Sequence, residues 1–586
     1  MTNEQIAAVF DQIAELLALE DENVFRIRSY QRAAEVIRGL GRELAEIRAA
    51  GELEQLPGVG EAIAAKVEEL LDTGDLQYLR KLQSRYPEGF LELLQVPGVG
   101  PKHAKLFLRE LGVRNVADLR AAAEAGRIRQ LPGMGARSEA KLLEALQNWN
   151  ESQTRALLAE MLPLAEQMVQ LLRGLPEVER ADYAGSIRRG RETIGDLDLL
   201  ATSQHPERVT TAFARSGALE RVELAGDTKV SGLLPGGRQA DLRVVEPDSY
   251  GAALVYFTGS QQHSIRLRER GQDLGLKVNE YGVFAEQDGV EGPRLAGATE
   301  EEVYAALGLP WIPPELREDR GELQAAEAGR LPQLITLHDI RCDLHLHSSY
   351  TDGADSIAAL AEAARQRGYT HIGIADHSAS LTVAGGIGEE QIAAQRAEVD
   401  RLNAQLRARN QRMRVLLGTE AEIRADGTVD LTPRIFELVD FVVGAVHQGF
   451  SADPDRMTAR IIAALRTGMV DILAHPTGRL LLQRPAYAVH AAELVAAAVE
   501  LGVALEINSS PDRLDLSDVN ARLAVEQGAL LTINSDAHNA ANMDLIRLGV
   551  LTARRGWVEA PSVINTWPLR KLTAWLQARR QKKAKS

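Results

Sequence analysis

Six histidines in the C-terminal part of the chain lie at or just beyond the ends of short apolar runs. They are His345, His347, His377, His447, His475 and His538, with Asp352, Glu420 and Asp536 at similar places. His345 and His347 are two residues apart, so their side chains point to the same side of a strand. Imidazole and carboxylate groups suit zinc, manganese or iron. A set of this size exceeds what one ion needs and predicts a cluster of two or three ions. A single histidine in such a place is more often structural.

A second group of candidates contains carboxylates and no histidine. They are Asp196 and Asp198 in GDLDLL and Asp241 in RQADLRVV. Three carboxylates at one point repel each other unless cations neutralise them, and oxygen ligands suit Mg²⁺ that bridges to a triphosphate. Gly185 and Ser186 permit close backbone approach to phosphate, and Arg189 offers a charge-assisted donor. The alternative for the aspartate pair alone is an acidic patch on a surface strand.

The histidine-bearing segment alternates short apolar strands with helices. Seven runs, from RCDLHLH to ALLTINSDAH, fit strands, and stretches such as SIAALAEAARQRG fit the helices between them. This alternation predicts a parallel sheet, most simply closed as a barrel. In such a barrel the C-terminal strand ends meet on one face, where we expect the histidines to gather.

The carboxylates fall in a region, residues 155–309, that mixes strands with helices and predicts an α+β domain. The predicted strands there include RADYAGSI, DLDLLAT, RQADLRVV and GAALVYF. The proline-bearing, charged stretch that follows predicts a linker, which we place at residues 311–335.

The first 150 residues have helical periodicity. They repeat one short motif, or phrase, with the order apolar residue, proline, glycine, apolar residue, glycine. The glycines are Gly58 and Gly60, Gly98 and Gly100, and Gly133 and Gly135. Each phrase precedes an amphipathic helix, so its backbone N–H groups form a natural phosphate cradle. A helical turn without a ligand is the alternative for any single copy.

Bulk composition limits the location and the partners of the protein. The chain has 586 residues, a net charge of −15 and one cysteine, Cys342. One cysteine cannot form an internal disulfide, and no apolar run is long enough for a membrane span, so we expect a cytoplasmic protein without membrane contact. The basic segment 569–586 is expected to be a solvated tail, with nonspecific DNA contact as the alternative.

The segment from Asp339 to Trp567 resembles the PHP (polymerase and histidinol phosphatase) family through DLHLHSSYTDG, ADHS, GTEAEI, GAVH, AHPT and NSDAH. That resemblance implies a distorted seven-stranded (β/α) barrel with a metal cluster. It also implies the ligand set: His345, His347, Asp352, His377, Glu420, His447, His475, Asp536 and His538. Arg513 is a candidate phosphate contact, and a structural salt bridge is the alternative for this residue.

The middle of the chain resembles the family X DNA polymerases through GSIRRG, GDLDLL, YFTGS and LKVNEYGVF. The resemblance implies a nucleotidyltransferase palm in which Asp196, Asp198 and Asp241 bind two Mg²⁺ or Mn²⁺ ions. It implies a nucleotide site made by Gly185, Ser186, Arg189, Tyr256, Phe257 and Gly259. The alternative for the two aromatic residues is a role in the core only. Where the family commonly has an asparagine, this chain has Ser264, for which His263 and Arg268 are the candidate replacements.

The N-terminal repeats resemble the helix-hairpin-helix motif, which binds the DNA backbone without reading sequence. The first copy lies in a segment that resembles the family's lyase domain. There Lys66 aligns with the Schiff-base lysine, and Arg26 and Tyr30 align with the 5′-phosphate pocket. Glu68 and Glu69 stand near Lys66, and we expect them to keep its pKa high. A solvated helix lysine is the alternative.

The domain order as a whole is similar to that of bacterial family X polymerases. It implies a multidomain α and α+β chain followed by the barrel, with boundaries at 1–80 (lyase-like), 81–150 (fingers-like), 151–245 (palm), 246–310 (thumb), 311–335 (linker), 336–568 (PHP) and 569–586 (tail). The implied function is filling of short gaps in DNA repair by a monomer that uses gapped or primer-template DNA and dNTPs. The barrel would add 3′→5′ exonuclease activity with two or three Zn²⁺, Mn²⁺ or Fe²⁺ ions, and 3′-phosphatase, AP-endonuclease or weak lyase activity could accompany it.

Two other functions remain open at this stage. The barrel could be a small-molecule phosphatase similar to the histidinol phosphatases, although the DNA-binding repeats oppose this. The chain could also be a DNA-binding scaffold whose palm has lapsed, although the intact set of three aspartates opposes that.

Overall fold

The computed structural model describes residues 3–20, 22–38, 44–56, 59–87, 89–96, 99–235, 237–287 and 290–583. Gly58 and Gly98, two of the predicted DNA-binding glycines, lie outside these ranges. The chain divides into two compact units, Met1–Gln153 and Thr154–Ser586.

The first unit is helical, as its periodicity predicts. Its helices are α1 (Asn3–Leu19), α2 (Val24–Arg38), α3 (Leu44–Ala49), α4 (Glu61–Thr73), α5 (Gln77–Gln83), α6 (Pro101–Leu111), α7 (Val116–Glu124) and α8 (Ala136–Thr154). The three glycine phrases occupy equivalent places, because each follows a short 3₁₀ helix and precedes α4, α6 or α8. Gly60 and Gly100 are the N-cap residues of α4 and α6.

The second unit begins with the segment predicted as the palm, which we call the palm below. Its elements are β1 (Ala156–Leu157), α9 (Leu158–Arg173), β2 (Arg180–Tyr183), α10 (Gly185–Arg188), β3 (Thr193–Ile194), β4 (Leu197–Thr202), α11 (Pro206–Arg215), β5 (Arg221–Ala225), β6 (Lys229–Leu233) and β7 (Gln239–Val245). Five strands form one sheet in the order β2-β4-β7-β6-β5. Within it β4 and β7 are parallel, and Asp198 is the register partner of Asp241.

The thumb region follows with α12 (Tyr250–Thr258), α13 (Gln261–Asp273), β8 (Leu276–Asn279), β9 (Gly282–Gln287), β10 (Val290–Ala296), α14 (Glu300–Ala306) and α15 (Glu322–Glu327). The prediction of a strand at GAALVYF is wrong, because this run lies inside α12. Six of the seven residues of the run are apolar, and a short apolar run that is buried on several sides looks the same as a strand or a helix.

The predicted linker is a packed part of this region. Leu316, Leu323 and Leu334 belong to the apolar cluster of the thumb. Arg317 and Glu322 are fully buried, and α15 lies within the segment. The prolines and charged residues that predicted a linker therefore belong to a packed segment, in which charged side chains form buried ion pairs.

The remaining strands alternate with helices, as predicted. The strands are β11 (Cys342–Leu346), β12 (His371–Ile374), β13 (Arg414–Leu417), β14 (Glu420–Glu422), β15 (Val443–Ala445), β16 (Ile472–Leu473), β17 (Ala504–Asn508) and β18 (Leu531–Asn534). The helices are α16 (Ile357–Gln366), α17 (Glu389–Ala408), α18 (Pro433–Leu438), α19 (Pro454–Arg466), α20 (Ala491–Leu501), α21 (Asp518–Glu526), α22 (Ile546–Arg555) and α23 (Leu569–Lys583).

These strands form two parallel sheets, β11-β12-β13 and β14-β15-β16-β17-β18. The predicted run RVLLGTEAEI gives both β13 and β14, which separate at Gly418 and Thr419. Single bridges connect the sheets, from Leu346 to Ala537 and from His377 to Glu420. The described strands are thus parallel as expected, but no continuous ladder joins them into the closed barrel that the sequence suggested.

The basic segment after Pro568 is a docked helix, so the expectation of a solvated tail is wrong for residues 569–583. Leu572 and Leu576 of α23 are buried in the apolar cluster that contains Leu344 and Phe441. Arg579 donates to a carboxylate oxygen of Asp471 over 2.8 Å. Apolar residues at helical spacing place this basic helix against the protein.

Phe441 is the side chain around which the strands pack. It is 1% exposed, and a Cβ on Gly373 or Gly418 would lie 2.5 or 2.4 Å from its Cζ atom. We predict that Phe441→Ala lowers the free energy of unfolding by about 3–5 kcal/mol, because it leaves a large cavity. The shift of the thermal or urea midpoint measures this, with Val383→Ala as an exposed-site control. A shift no larger than that of the control would contradict this role of Phe441.

Candidate active sites

The palm aspartates gather at one end of the central strands. Parallel pairing places Asp198 beside Asp241 on the same face, and Asp196 precedes β4 with an exposed side chain. Antiparallel β6 contributes Lys229, whose Nζ atom lies 3.2 Å from a carboxylate oxygen of Asp241. The structure thus brings together the three carboxylates that the sequence predicted as one set.

The surroundings make these carboxylates differ in pKa. Burial raises the pKa of Asp198 to about 6, and the charges of Asp196 and Asp241 add to the shift. For Asp241, burial is outweighed by neighbours that include Gln239 and Lys229, so its pKa lies below the usual value. Crowded carboxylates of this kind, with oxygen ligands only, fit the hard cations Mg²⁺ and Mn²⁺.

The short helix α10 starts directly above Asp198. Gly185 has φ of +63°, and a Cβ on it would lie 2.3 Å from Oδ2 of Asp198. A side chain at position 185 would therefore collide with the carboxylate. Ser186 follows with a half-buried side chain, and the role of the Gly-Ser pair in phosphate binding stays a prediction.

Arg189, the predicted triphosphate ligand, is largely covered. Its Nε atom donates to Glu318 over 3.0 Å, and an Nη1 atom donates to the carbonyl oxygen of Thr258 over 2.5 Å. Its side chain is 14% exposed. Gly259 lies beside it, since a Cβ there would be 3.4 Å from Nη1 of Arg189.

The other predicted nucleotide contacts differ in accessibility. Tyr256 is 38% exposed, and its ring meets the ring of Phe257 edge-on at 5.2 Å. Arg268 is exposed near Ser264, to whose carbonyl oxygen it donates over 3.4 Å. His263, in contrast, is fully buried, with its ring nitrogens 2.7 Å from Glu322 and 2.9 Å from the hydroxyl of Tyr304. Both ring nitrogens of His263 are used within the protein, so the structure does not bring this residue to the site.

The histidine cluster lies where the strands of the two parallel sheets end. Three overlapping groups have ligand atoms within 4.8 Å of one another: His347, Asp352, His377 and His538; His345, His347 and Asp536; and His377, Glu420 and His447. His475 joins them, because its Nε2 atom lies 3.1 Å from Glu420. The structure thus assembles the complete predicted set at one place, and its role as a ligand set stays a prediction.

The ring orientations fit metal ligands. His345, His447 and His538 each donate from Nδ1 to a protein oxygen, on Glu506, Glu422 and Asp536 respectively. Their Nε2 atoms turn inward, and Nε2 of His345 is buried without a hydrogen-bond partner. A ligand histidine is typically oriented in this way by a second acceptor.

Carboxylates control the protonation of the cluster when no cation is bound. Burial lowers the pKa of His377, but Glu420 and Asp352 outweigh it and raise that pKa to about 10. Burial of His447 is likewise outweighed by Glu420 and Glu422, which raise its pKa to about 9. Metal ions and protons compete for the same nitrogen atoms, so metal binding here releases protons.

Profiles of known families match four parts of the chain. A helix-hairpin-helix domain matches residues 1–76, and a SAM-like helix-hairpin-helix tandem matches residues 90–148. The DNA polymerase beta thumb matches residues 253–318, and the PHP domain matches residues 343–510.

A relative matches over nearly the whole length. DNA polymerase/3′-5′ exonuclease PolX of Bacillus subtilis (strain 168) is 34% identical over 579 residues, which cover 98% of this chain and 100% of that protein. The chain belongs to the family X DNA polymerases that carry a PHP domain. Shorter matches join it to DNA polymerase lambda of Arabidopsis thaliana, 27% identical over 54% of this chain and 62% of that protein, and of Rattus norvegicus, 28% identical over 45% and 48%. None of the described helices has the length and apolarity that a membrane crossing requires.

Sequence reasoning missed the buried carboxylates that support the ligands of this family X protein. Glu506 is fully buried and accepts from His345 Nδ1, from the backbone N–H of His475 and from two asparagine side chains, those of Asn508 and Asn534. Glu422 supports His447 in the same way. An acidic residue within an apolar strand, as in VALEINSS, was the available signal.

Arg513 lies at the edge of the cluster. Its Nε atom is 3.9 Å from Oδ2 of Asp536, and its side chain is 23% exposed. The residue is therefore near a predicted ligand and is partly accessible from outside. Both the phosphate contact and the salt bridge that the sequence allowed are compatible with this position.

The lyase candidates meet within the first unit. Lys66 Nζ lies 5.2 Å from the ring centre of Tyr78 and 6.0 Å from that of Tyr30, and Arg26 donates to the hydroxyl of Tyr78 over 2.8 Å. Burial and the charge of Arg26 lower the pKa of Lys66, against the smaller effect of Glu69. The expectation that acidic neighbours keep this pKa high is therefore wrong, because partial burial and the charge of Arg26 outweigh Glu69. Tyr78 was not predicted.

Glu506→Gln tests the support of the histidine cluster. An amide cannot accept all the hydrogen bonds that Glu506 accepts, so we predict a loss of metal affinity of about 10–100-fold. Elemental analysis after dialysis and metal titration measure the loss, and the exposed Glu493→Gln is the matched control. A wild-type metal content in Glu506→Gln would show that His345 needs no such partner.

Asp198→Asn tests the charge crowding in the palm. The pKa of Asp198 is raised on folding, so its stability contribution is complete below the unfolded pKa and is lost as pH rises through about 6. We predict that metal-free Asp198→Asn is more stable than wild type at pH 8 by on the order of 2 kcal/mol, with no difference below about pH 4. Urea unfolding in chelator measures this. An equal difference at both pH values would contradict the electrostatic cause.

Proposed function

We propose that the protein extends DNA 3′ ends in short gaps and removes nucleotides from 3′ ends, with one separate site for each reaction. One observation carries the proposal: a single compact unit contains an oxygen-only carboxylate cluster on the palm sheet and an imidazole-rich cluster at the ends of the parallel strands. The ligand chemistry of the two clusters differs, so each suits its own ions and its own reaction. The activities in the name of the Bacillus subtilis relative support the pairing.

For nucleotide addition, Asp196, Asp198 and Asp241 would bind two Mg²⁺ or Mn²⁺ ions. When bound, such ions activate the primer 3′-hydroxyl and neutralise the triphosphate and the departing pyrophosphate. Ser186 and the backbone at Gly185 would bind the phosphates of a dNTP. The Tyr256 and Phe257 pair would form the gate at the sugar edge, and Arg268 would contact the base.

For nucleotide removal, the histidine cluster would bind two or three Zn²⁺, Mn²⁺ or Fe²⁺ ions, which supply water activation and neutralisation of phosphoester charge. Arg513 would contact the phosphate at the rim of the cluster. The same chemistry extends to 3′-phosphates and abasic sites, so we include 3′-phosphatase and AP-endonuclease activity. We also infer that the two sheets form one distorted barrel, which has seven strands when β13 and β14, from one predicted run, count as one. The bridges at Leu346 and His377 support this inference.

For DNA binding, the N-terminal repeats would contact the phosphate backbone without reading sequence. No described atom lies within 4 Å of a Cβ built on Gly60, Gly100, Gly133 or Gly135. Packing among the described residues therefore does not explain Gly60, Gly100 and Gly135, whereas close approach of a DNA strand does. Gly133 has a φ of +77°, a left-handed conformation that favours glycine by itself. The partly buried amine of Lys66, with its lowered pKa, supports a weak lyase activity on 5′ ends.

A separation-of-function experiment tests the proposal on gapped DNA. Asp198→Asn should abolish nucleotide addition and spare 3′-end removal, and His345→Ala should do the reverse, because neither residue contacts the other site. Primer extension and degradation are measured on the same substrate, with elemental analysis of both variants.

Three outcomes would contradict the proposal. Loss of both activities in one folded variant would show that the sites are not separate. Rapid hydrolysis of histidinol phosphate without degradation of single-stranded DNA would favour a small-molecule phosphatase. A wild-type protein that binds gapped DNA but extends no primer with Mg²⁺ or Mn²⁺ would favour the scaffold.

A further inference from the structure

The guanidinium of Arg189 lies in a string of buried charges that crosses from the palm to the PHP region. Glu318 accepts from Arg189 Nε over 3.0 Å, and it also accepts from Arg555 Nη1 over 2.9 Å. Arg555 ends α22, outside the polymerase part of the chain. Its side chain is 4% exposed, so these charges are poorly screened by solvent.

Arg555 contacts Arg189 in a second way. Its Nη1 atom also donates to the backbone carbonyl oxygen of Arg189 over 2.8 Å. The neighbouring Gly190, with φ of +65°, packs on the same helix, where a Cβ would lie 3.4 Å from Leu551 and 3.7 Å from Arg555. The backbone that carries Arg189 is thus placed directly against α22.

The other end of the string compensates the remaining charge of Arg555. Asp518 accepts from Arg555 over 2.7 Å and from Arg320 over 2.8 Å. Three arginines and two carboxylates give a net charge of +1. Arg191 adds a weaker contact to Glu318, with its Nη1 atom 3.9 Å from the carboxylate and its side chain 39% exposed. Without Arg555, Glu318 would be left to Arg189 and this distant Arg191, and Arg320 would pair with Asp518 alone. The net charge of the string would fall by one.

We propose that Arg555 is a positioning residue for nucleotide binding by the palm. By sharing Glu318, it leaves the positive charge of Arg189 available to a triphosphate, and by binding the Arg189 carbonyl it fixes the position of that residue. This inference rests on the proposed function of the palm. It gives the PHP region a part in nucleotide affinity that is distinct from its own metal cluster.

The test is Arg555→Met in the full-length chain, which keeps much of the side-chain volume and removes the charge. The KM for dNTP in primer extension and the Kd for dNTP with Mg²⁺ from calorimetry should both rise about tenfold, the change expected for one lost charge-assisted interaction. The kcat at saturating dNTP and the 3′-end degradation should stay at the wild-type level, because Arg555 contacts neither cluster.

The matched control is Arg554→Met. Arg554 is the adjacent arginine of the same helix, and it donates to Glu315 and to the carbonyl oxygen of Ile335, without a contact to Arg189 or Glu318. Its KM and Kd should equal those of wild type. Thermal midpoints of both variants show whether each one is folded.

The decisive variant is the double substitution Glu318→Gln with Arg555→Met. Removing the carboxylate frees the charge of Arg189 again, so KM and Kd should return to within about threefold of wild type. A purely structural role for Arg555 predicts no rescue, because a second buried contact is lost.

The inference is overturned by a Kd for Arg555→Met within twofold of wild type, by equal effects of Arg554→Met, or by a double variant that is no better than Arg555→Met. It can be overturned while the proposed function stands, since wild type would still extend primers. A wild-type protein that binds no dNTP and extends no primer would overturn both.

Discussion

The parallel pairing of β4 with β7 is the interaction on which the palm depends. Asp198 and Asp241 share a face only because these strands pair in register, and a slip by one residue would turn one carboxylate away. Gly185 then closes over Asp198 at a distance that no side chain tolerates. The sheet thus brings like charges together at a partly buried place. Burial raises the pKa of Asp198, and the charges of Asp196 and Asp241 raise it further.

The histidine cluster also brings charged groups close together, and buried carboxylates hold its rings in place. Glu420 lies among several ligand rings, while Glu506 and Glu422 stand behind them and determine which ring nitrogen faces inward. Backbone strain occurs at the same place, since His475 and Asp536 have φ of +27° and +55°. Strained non-glycine residues persist where the surrounding contacts determine their geometry, and such positions are frequent at functional sites.

Residue type and spacing predicted much of this arrangement, because strand alternation and strand ends carry direct geometric meaning. The supporting residues were not predictable in the same way. Glu506 and Tyr78 act through partners far away in sequence, and the pairing that brings them there is tertiary. The predictions for the run GAALVYF and for the segment around Arg317 were wrong for a related reason. Burial on several sides removes the hydrophobic periodicity of a helix, and a segment with buried ion pairs has the same composition as a loop.

The two clusters contain different kinds of side chain, but the parts of the chain that carry them pack against each other. Leu481 and Leu514 follow strands of the parallel sheets, yet they pack in the apolar cluster of the palm. Arg479 joins the same loops to Glu192 through two ion contacts of 3.2 and 2.8 Å. Because Leu514 directly follows Arg513, the loop at the rim of the histidine cluster is fixed against the palm. Substitutions at this junction will therefore change the stability of both parts together.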